Sequence, residues 1–286
     1  AQLEGPVDDL SFSADTAESY QWRQDLGVAS PMGIKTRRTI AREAVGVVGA
    51  ITPWNFPHQI NLAKLGPALA AGCTVVLKAA PATPWSATVL GRLVAEHTDI
   101  PAGVLNVITS QQNAIGEVLC TDPRIDLVSF TGSTATGRRI MAAAADTLKK
   151  TFLELGGKSA YIVLDDADPA TAAIGAAFQI MAHAGQGCAI TTRMVVPRAM
   201  HDEIVDQVVG MIGGIGWGDP TDAGNFMGPL VSKAQQDRVL GYINTAVDEG
   251  ATIVTGGKAG ELEGDLAGGY FVEPTVLTGV DQNSTI

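Results

Sequence analysis

A thiol, a carboxylate and a side-chain amide each stand beside glycine or proline in this chain, and each placement suits a chemical role. Cys188 follows Gly185-Gln186-Gly187, and the pattern predicts a helix beginning at the cysteine. A helix N-terminus lowers a thiol pKa and raises the thiolate fraction, so Cys188 is a candidate nucleophile. Most cysteines in folded chains are instead small core hydrophobes. Cys73, between an alanine-rich helix end and an apolar strand, and Cys120, at the end of an apolar helix, fit that description. Glu154 closes a strand ahead of Leu155-Gly156-Gly157. A carboxylate among apolar neighbours can act as a general base, or it is an ordinary loop glutamate. Asn55 lies in Pro53-Trp54-Asn55-Phe56-Pro57. An amide on a loop fixed by two prolines can stabilise an oxyanion without reorganising, and the same residues also suit a structural asparagine turn.

The run Phe130-Thr131-Gly132-Ser133-Thr134-Ala135-Thr136-Gly137 follows a strand and opens a helix. Glycines there let backbone approach a phosphate, and helix N-terminal N–H groups favour an anion. The spacing is not G-x-G-x-x-G and no lysine closes it, so a tight strand-to-helix turn explains it equally well. His58, His97, His183 and His201 show no metal spacing, and no C-x-x-C pair exists, so no metal site is expected. A Cys–His hydrolase built on Cys188 and His183 is conceivable from sequence, although their separation argues nothing for it.

The elements that must position these groups alternate between β-rich runs and helical patterns. Strands are expected at 43–52, 74–78, 104–109 and 126–130, with helices at 59–71, 84–97, 113–120 and 134–148. A second set follows: strands at 160–164, 193–196, 252–255 and 270–277, and helices at 169–183, 201–212 and 233–249. Buried strands alternating with helices imply an α/β fold with a parallel sheet. A domain boundary falls near Gly156-Gly157. With 286 residues, 46% of them hydrophobic, the chain can fill two modest cores. A net charge of −11 supplies no basic footprint for nucleic acid. Three cysteines without pattern suit a reducing compartment. No apolar run reaches transmembrane length, and 1–9 does not resemble a signal peptide. The expectation is a cytoplasmic protein with no membrane partner.

Taken in order, PWNFP, TVVLK, FTGSTATG, LELGGK and GQGC resemble the aldehyde dehydrogenase superfamily over essentially the whole chain, through Gly228-Pro229-Leu230 to Phe271-Val272-Glu273-Pro274-Thr275. The resemblance implies a Rossmann-like NAD(P)-binding domain at 1–156 and an α/β catalytic domain at 157–286. It further implies an N-terminal stretch and a C-terminal part, including an E-I-F-G-P motif, beyond this sequence. Catalytic roles would fall to Cys188 (attack on the aldehyde), Asn55 (oxyanion), Glu154 (activation of water) and Lys64 (proton relay). The dinucleotide, NAD or NADP, would be held by Ile51, Thr52, Pro53, Trp54, Lys78, Pro81, Gly132, Ser133, Thr134, Gly137, Leu155 and Gly156. The partner would be a small aldehyde, and the complete protein a homodimer or homotetramer.

One departure concerns cofactor choice. The family usually carries a glutamate three residues after the position of Lys78, where it bonds the ribose 2′-hydroxyl and repels a 2′-phosphate. Here Pro81 stands in its place. Two rival readings remain: a non-catalytic or poorly active fragment that keeps the dinucleotide cradle, and a relative that passes its acyl group to coenzyme A or phosphate. Glu154 argues against the second, because acyl-transferring branches generally lack that base.

Overall fold

Short runs of β-branched and leucine side chains, flanked by glycine, form the sheet at the centre of the first unit. In the computed structural model, which describes residues 4–286, the chain divides into two compact units, 1–156 and 157–286. The first opens with α1 (Glu4–Ser19) and the hairpin β1 (Arg23–Ala29)–β2 (Thr36–Ala41). It continues with β3 (Val47–Ile51), α2 (Pro57–Ala70), β4 (Thr74–Lys78), α3 (Pro84–His97) and β5 (Leu105–Ile108). Then come α4 (Ala114–Thr121), β6 (Leu127–Gly132), α5 (Thr134–Ala144) and β7 (Lys150–Leu155).

β3 to β7 form one parallel sheet in the order β5-β4-β3-β6-β7. The chain winds outward from β3 in one direction, then returns to lay β6 on its other side. The carboxyl ends of β3 and β6 therefore flank the switch point, where open α/β sheets bind ligands. Alternation divides the strands between two cores. Val48, Ala50, Val75 and Leu77 pack on one face with Leu65 and Ala87, while Val128 and Phe130 pack on the other with Leu119, Cys120 and Ile140.

The second unit holds β8 (Ala160–Ile162), α6 (Pro169–Met181), β9 (Arg193–Val195), α7 (His201–Gly214), α8 (Lys233–Asp248), β10 (Thr252–Thr255) and β11 (Val276–Thr278). β8 pairs in parallel with β9, and β10 antiparallel with β11. Its core is an alanine face of α6 (Ala172, Ala173, Ala176, Ala177) set against Ile204, Val208 and Ile212 of α7.

Several expectations need correction. The strand expected at 43–52 begins only at Val47: Gly46 takes φ +115°, and the Asp126 carboxylate accepts the Val47 N–H at 2.8 Å and fills the space beside that glycine. The helix expected to 148 ends at Ala144 and closes through a 3-10 turn to Leu148 at φ +52°. Of the strand expected at 270–277, only Val276–Thr278 pairs regularly, after Pro274. The first 42 residues were given no elements, yet carry α1 and the hairpin. The stretch 1–9 begins with three residues outside those described, and from Glu4 onward it belongs to α1.

Candidate active site

In the first unit, Ile51 pairs in register with Lys78, and the Thr52 N–H donates to the Lys78 carbonyl at 3.2 Å. The segment Thr52 to Phe56 thus leaves the sheet at the switch point and carries half-buried Pro53, Trp54 and Asn55 into α2. Lys78 is buried, and desolvation alone pulls its pKa down. Among the described residues its Nζ donates to the Ala79 carbonyl alone, at 3.4 Å. Pro81 is exposed at the second position of a tight turn closed by Thr83 N–H to the Ala80 carbonyl at 3.1 Å, where proline's fixed φ fits.

At the end of β6, Gly132 passes directly to Ser133, whose Oγ accepts the Thr136 N–H at 3.2 Å and caps α5. Here Gly132 and Gly137 answer to space. A Cβ on Gly132 would lie 2.5 Å from the Phe130 ring, and one on Gly137 would lie 2.8 Å from Leu155. Half-buried Gly132 with exposed Ser133 and Thr134, the first N–H groups of α5 and the buried cation of Lys78 form a set of donors that fits a dinucleotide.

On the opposite face of the same strands, Ser129 and Thr131 of β6 stand in register with Phe152 and Glu154 of β7. Lys64 reaches this face from α2. It is 7% exposed, donates to Ser129 Oγ at 2.8 Å and lies 5.9 Å from the centre of the Phe152 ring. Burial lowers its pKa to about 8, against the opposing pull of the Glu154 carboxylate. Glu154 is exposed, beside Leu155 and Gly156.

In the second unit, the helix expected to begin at Cys188 is absent. α6 stops at Met181, and a short turn follows in which His183, Ala184 and Gly185 take φ of +55°, +52° and +72°. Cys188 lies past this turn, exposed, and no helix precedes Arg193, where β9 starts. A helix N-terminus therefore does not activate the thiol. The segment is held instead by Gln186. Its Oε1 accepts the Val231 N–H at 3.0 Å and its Nε2 donates to the His183 carbonyl at 3.1 Å. Within this unit, a Cβ on Gly157 would lie 3.8 Å from the Cys188 carbonyl, so the backbone at Gly157 runs close to the cysteine. Cys73 and Cys120 are buried, as expected. Sequence reasoning passed over Ser129 and Gln186. Neither stands in a spacing that signals a role, and the Gln186 contact spans 45 residues.

Among the described residues, no group of three His, Cys, Asp or Glu side chains could hold a metal ion. None of their helices is long and apolar enough to cross a membrane.

The model of the aldehyde dehydrogenase family matches residues 2–286, and the chain belongs to that family. It is 40% identical over 284 residues to aminoaldehyde dehydrogenase 2, peroxisomal, of Pisum sativum, covering 98% of this chain and 56% of that protein. It resembles the structure of a Mycobacterium tuberculosis aldehyde dehydrogenase complexed with NAD+ (TM-score 0.92, 39% identity, 100% of this chain and 57% of that one). It also resembles an E. coli NADP dependent enzyme (TM-score 0.89, 36% identity, 99% and 58%). The chain thus spans a little over half the length of these relatives.

Proposed function

We propose that this chain carries the dinucleotide cradle and reacting groups of an NAD(P)-dependent aldehyde dehydrogenase that converts an aldehyde to a carboxylic acid. The observation that carries the reading is the family match over 2–286 together with the exposure of one thiol, Cys188, while Cys73 and Cys120 are buried. Residues 1–156 serve as the cofactor domain and 157–286 as the catalytic domain. Cys188 Sγ bonds to the aldehyde carbon, and the resulting oxyanion is stabilised by the Asn55 amide and the Cys188 N–H. The bound dinucleotide supplies a hydride acceptor, so that a thioester on Cys188 results. Glu154 takes a proton from water as its oxygen attacks the thioester carbon, and the C–S bond breaks to release the acid and the Cys188 thiolate. Lys64, with a pKa of about 8, changes charge near neutral pH and passes the Glu154 proton onward.

Ile51 to Trp54, Gly132 to Thr134, Gly137, Leu155 and Gly156 hold the dinucleotide. Lys78 bonds the adenosine ribose. With Pro81 offering no carboxylate, both NAD and NADP are accepted. Exposed Val28, Met32 and Ile34 on the β1–β2 hairpin support a homodimeric or homotetrameric complete enzyme.

Limited alkylation with iodoacetamide, read by peptide mass spectrometry, tests the central assignment. Cys188 should label first. Equal or faster labelling of Cys73 or Cys120 would overturn it.

A further inference from the structure

We infer that Ser129 is a positioning residue that holds the Lys64 ammonium on the β6–β7 face and thereby sets the charge state of Lys64. Its bearing on turnover rests on the relay reading above, but the placement itself does not.

The geometry is specific. A lysine 7% exposed has left water, and its Nζ finds one short side-chain acceptor, Ser129 Oγ at 2.8 Å. A hydrogen bond accepted from the ammonium favours the charged form, against the burial that disfavours it. The Phe152 ring, in register with Ser129, lies under the same nitrogen and acts in the same direction. α1, β4 and α3 pack against α2, and β6 and β7 meet it at Lys64; their charged groups are Glu154 and Lys150 on β7, Glu4, Asp8, Asp9, Asp15 and Glu18 on α1, Lys78 on β4, and Arg92, Glu96 and His97 on α3, with His58 on α2 itself and none on β6. Of these, only Glu154 acts on Lys64 appreciably. The ammonium is therefore governed by one carboxylate and one hydroxyl.

The face is polar beyond this pair. α2 returns antiparallel to the strands, so Asn61 lies one turn above Lys64 (about 4.5 Å), and Thr131 lies two residues above Ser129 (about 6.6 Å). Both are buried, and Asn61 Oδ1 and Thr131 Oγ1 have no hydrogen-bond partner. Groups of this kind are expensive in an interior built for packing alone. Thr131 stands in register with Glu154, so the polar character of the face extends to that carboxylate.

The test is an NMR titration of protein carrying 13C,15N-lysine, with the Lys64 Cε signal assigned by its loss in Lys64→Arg. The wild-type signal should titrate near 8. Ser129→Ala, which removes only a hydroxyl, should lower the midpoint by about one unit. Ser129→Thr should restore it, and Glu154→Gln should lower it by removing the attracting charge. An unchanged midpoint in Ser129→Ala overturns the proposal. If that variant fails to fold, Ser129→Cys, whose thiol is a weak acceptor, decides in the same way. The readout needs no turnover, so it is independent of the enzymatic reading. If the midpoint moves while the pH dependence of aldehyde oxidation stays fixed, the Ser129 placement stands and the Lys64 relay falls.

Discussion

The Lys64 face of the first unit and the Cys188 turn of the second are both held away from their local minima, by different means. At Lys64 the unfavourable element is electrostatic: an ammonium stripped of water and partly compensated by Ser129, Phe152 and Glu154. At Cys188 it is conformational. Three successive residues adopt left-handed backbone, and two of them, His183 and Ala184, carry a side chain. Regular elements surround the first, so its cost is borne by a rigid sheet. The Gln186 side chain ties the second to Val231, 45 residues away, so part of its cost is borne by a long-range hydrogen bond. The comparison teaches that sites on strand ends can tolerate buried charge, whereas sites on loops rely on specific tethers.

The largest expected effect tests the electrostatic side. Lys64→Met should remove a charge that burial disfavours while filling the same space. The folded pKa is depressed from 10.5 to about 8, so the unfolded chain binds the proton more tightly. The penalty is complete below pH 8. It is lost as pH rises from about 8 to 10.5, because wild-type stability climbs through that window. Urea unfolding should show the methionine variant more stable by about 3 kcal/mol at most at pH 7, with the gap closing by pH 10.5. A gap that does not change with pH would show that packing, not charge, governs this face.

Next in size is the tether. Gln186→Ala removes the side-chain bonds to Val231 and His183 and leaves the backbone bond from residue 186 to the His183 carbonyl. With its long-range tether to Val231 gone, Cys188 should wander by an ångström or so, and misplacement of that order costs about 100-fold in rate. Aldehyde oxidation in the complete enzyme should fall accordingly, mostly in kcat. Undiminished turnover would mean that the left-handed turn holds itself.

Those two sites also differ in how far sequence could reveal them. The sheet strands were legible because they are short apolar runs bounded by glycine, and 74–78 and 84–97 came out with their observed ends. The fold class follows from local pattern. The first 42 residues did not, because α1 buries only Pro6 among its described side chains and the hairpin is exposed along most of its length, so neither carries a strong periodicity. Glu154 at the end of β7, and Gly132-Ser133 at a strand-to-helix turn, were readable for the same local reasons. The backbone at Cys188 was not. Two glycines before a cysteine suggest a helix start, but the actual conformation depends on a partner 45 residues away. The Ser129–Lys64 bond was equally hidden, since it joins residues 65 apart.

A tenfold effect is expected at the edge of the cradle. Lys78 is a buried cation whose Nζ donates to a backbone carbonyl, that of Ala79, and Pro81 leaves the adjoining turn without charge. Pro81→Glu would place a carboxylate where a 2′-phosphate approaches, and Coulomb repulsion in a partly wet site is worth about 1–2 kcal/mol. The NADP-to-NAD ratio of kcat/KM should fall about tenfold. A ratio that does not move would assign cofactor choice to another residue and would detach Lys78 from the electrostatic side of the comparison.

The smallest effect isolates backbone strain itself. Ala184 sits at φ +52°, between His183 at +55° and Gly185 at +72°. The left-handed region costs an alanine about 1–2 kcal/mol, because its Cβ crowds the following carbonyl. Glycine escapes that cost but loses about 0.5–1 kcal/mol through the greater freedom of its unfolded chain. Ala184→Gly should therefore stabilise the second unit slightly, by about 0.5 kcal/mol, seen as a small rise in the midpoint of urea unfolding. The rate of aldehyde oxidation should hold, since Gln186 still pins the turn. A loss of stability would show that the Ala184 methyl, half-buried and packed against the α6–α7 core, contributes more than the backbone gives up. The turn would then be held by packing as well as by its tether, and the contrast with the Lys64 face would narrow.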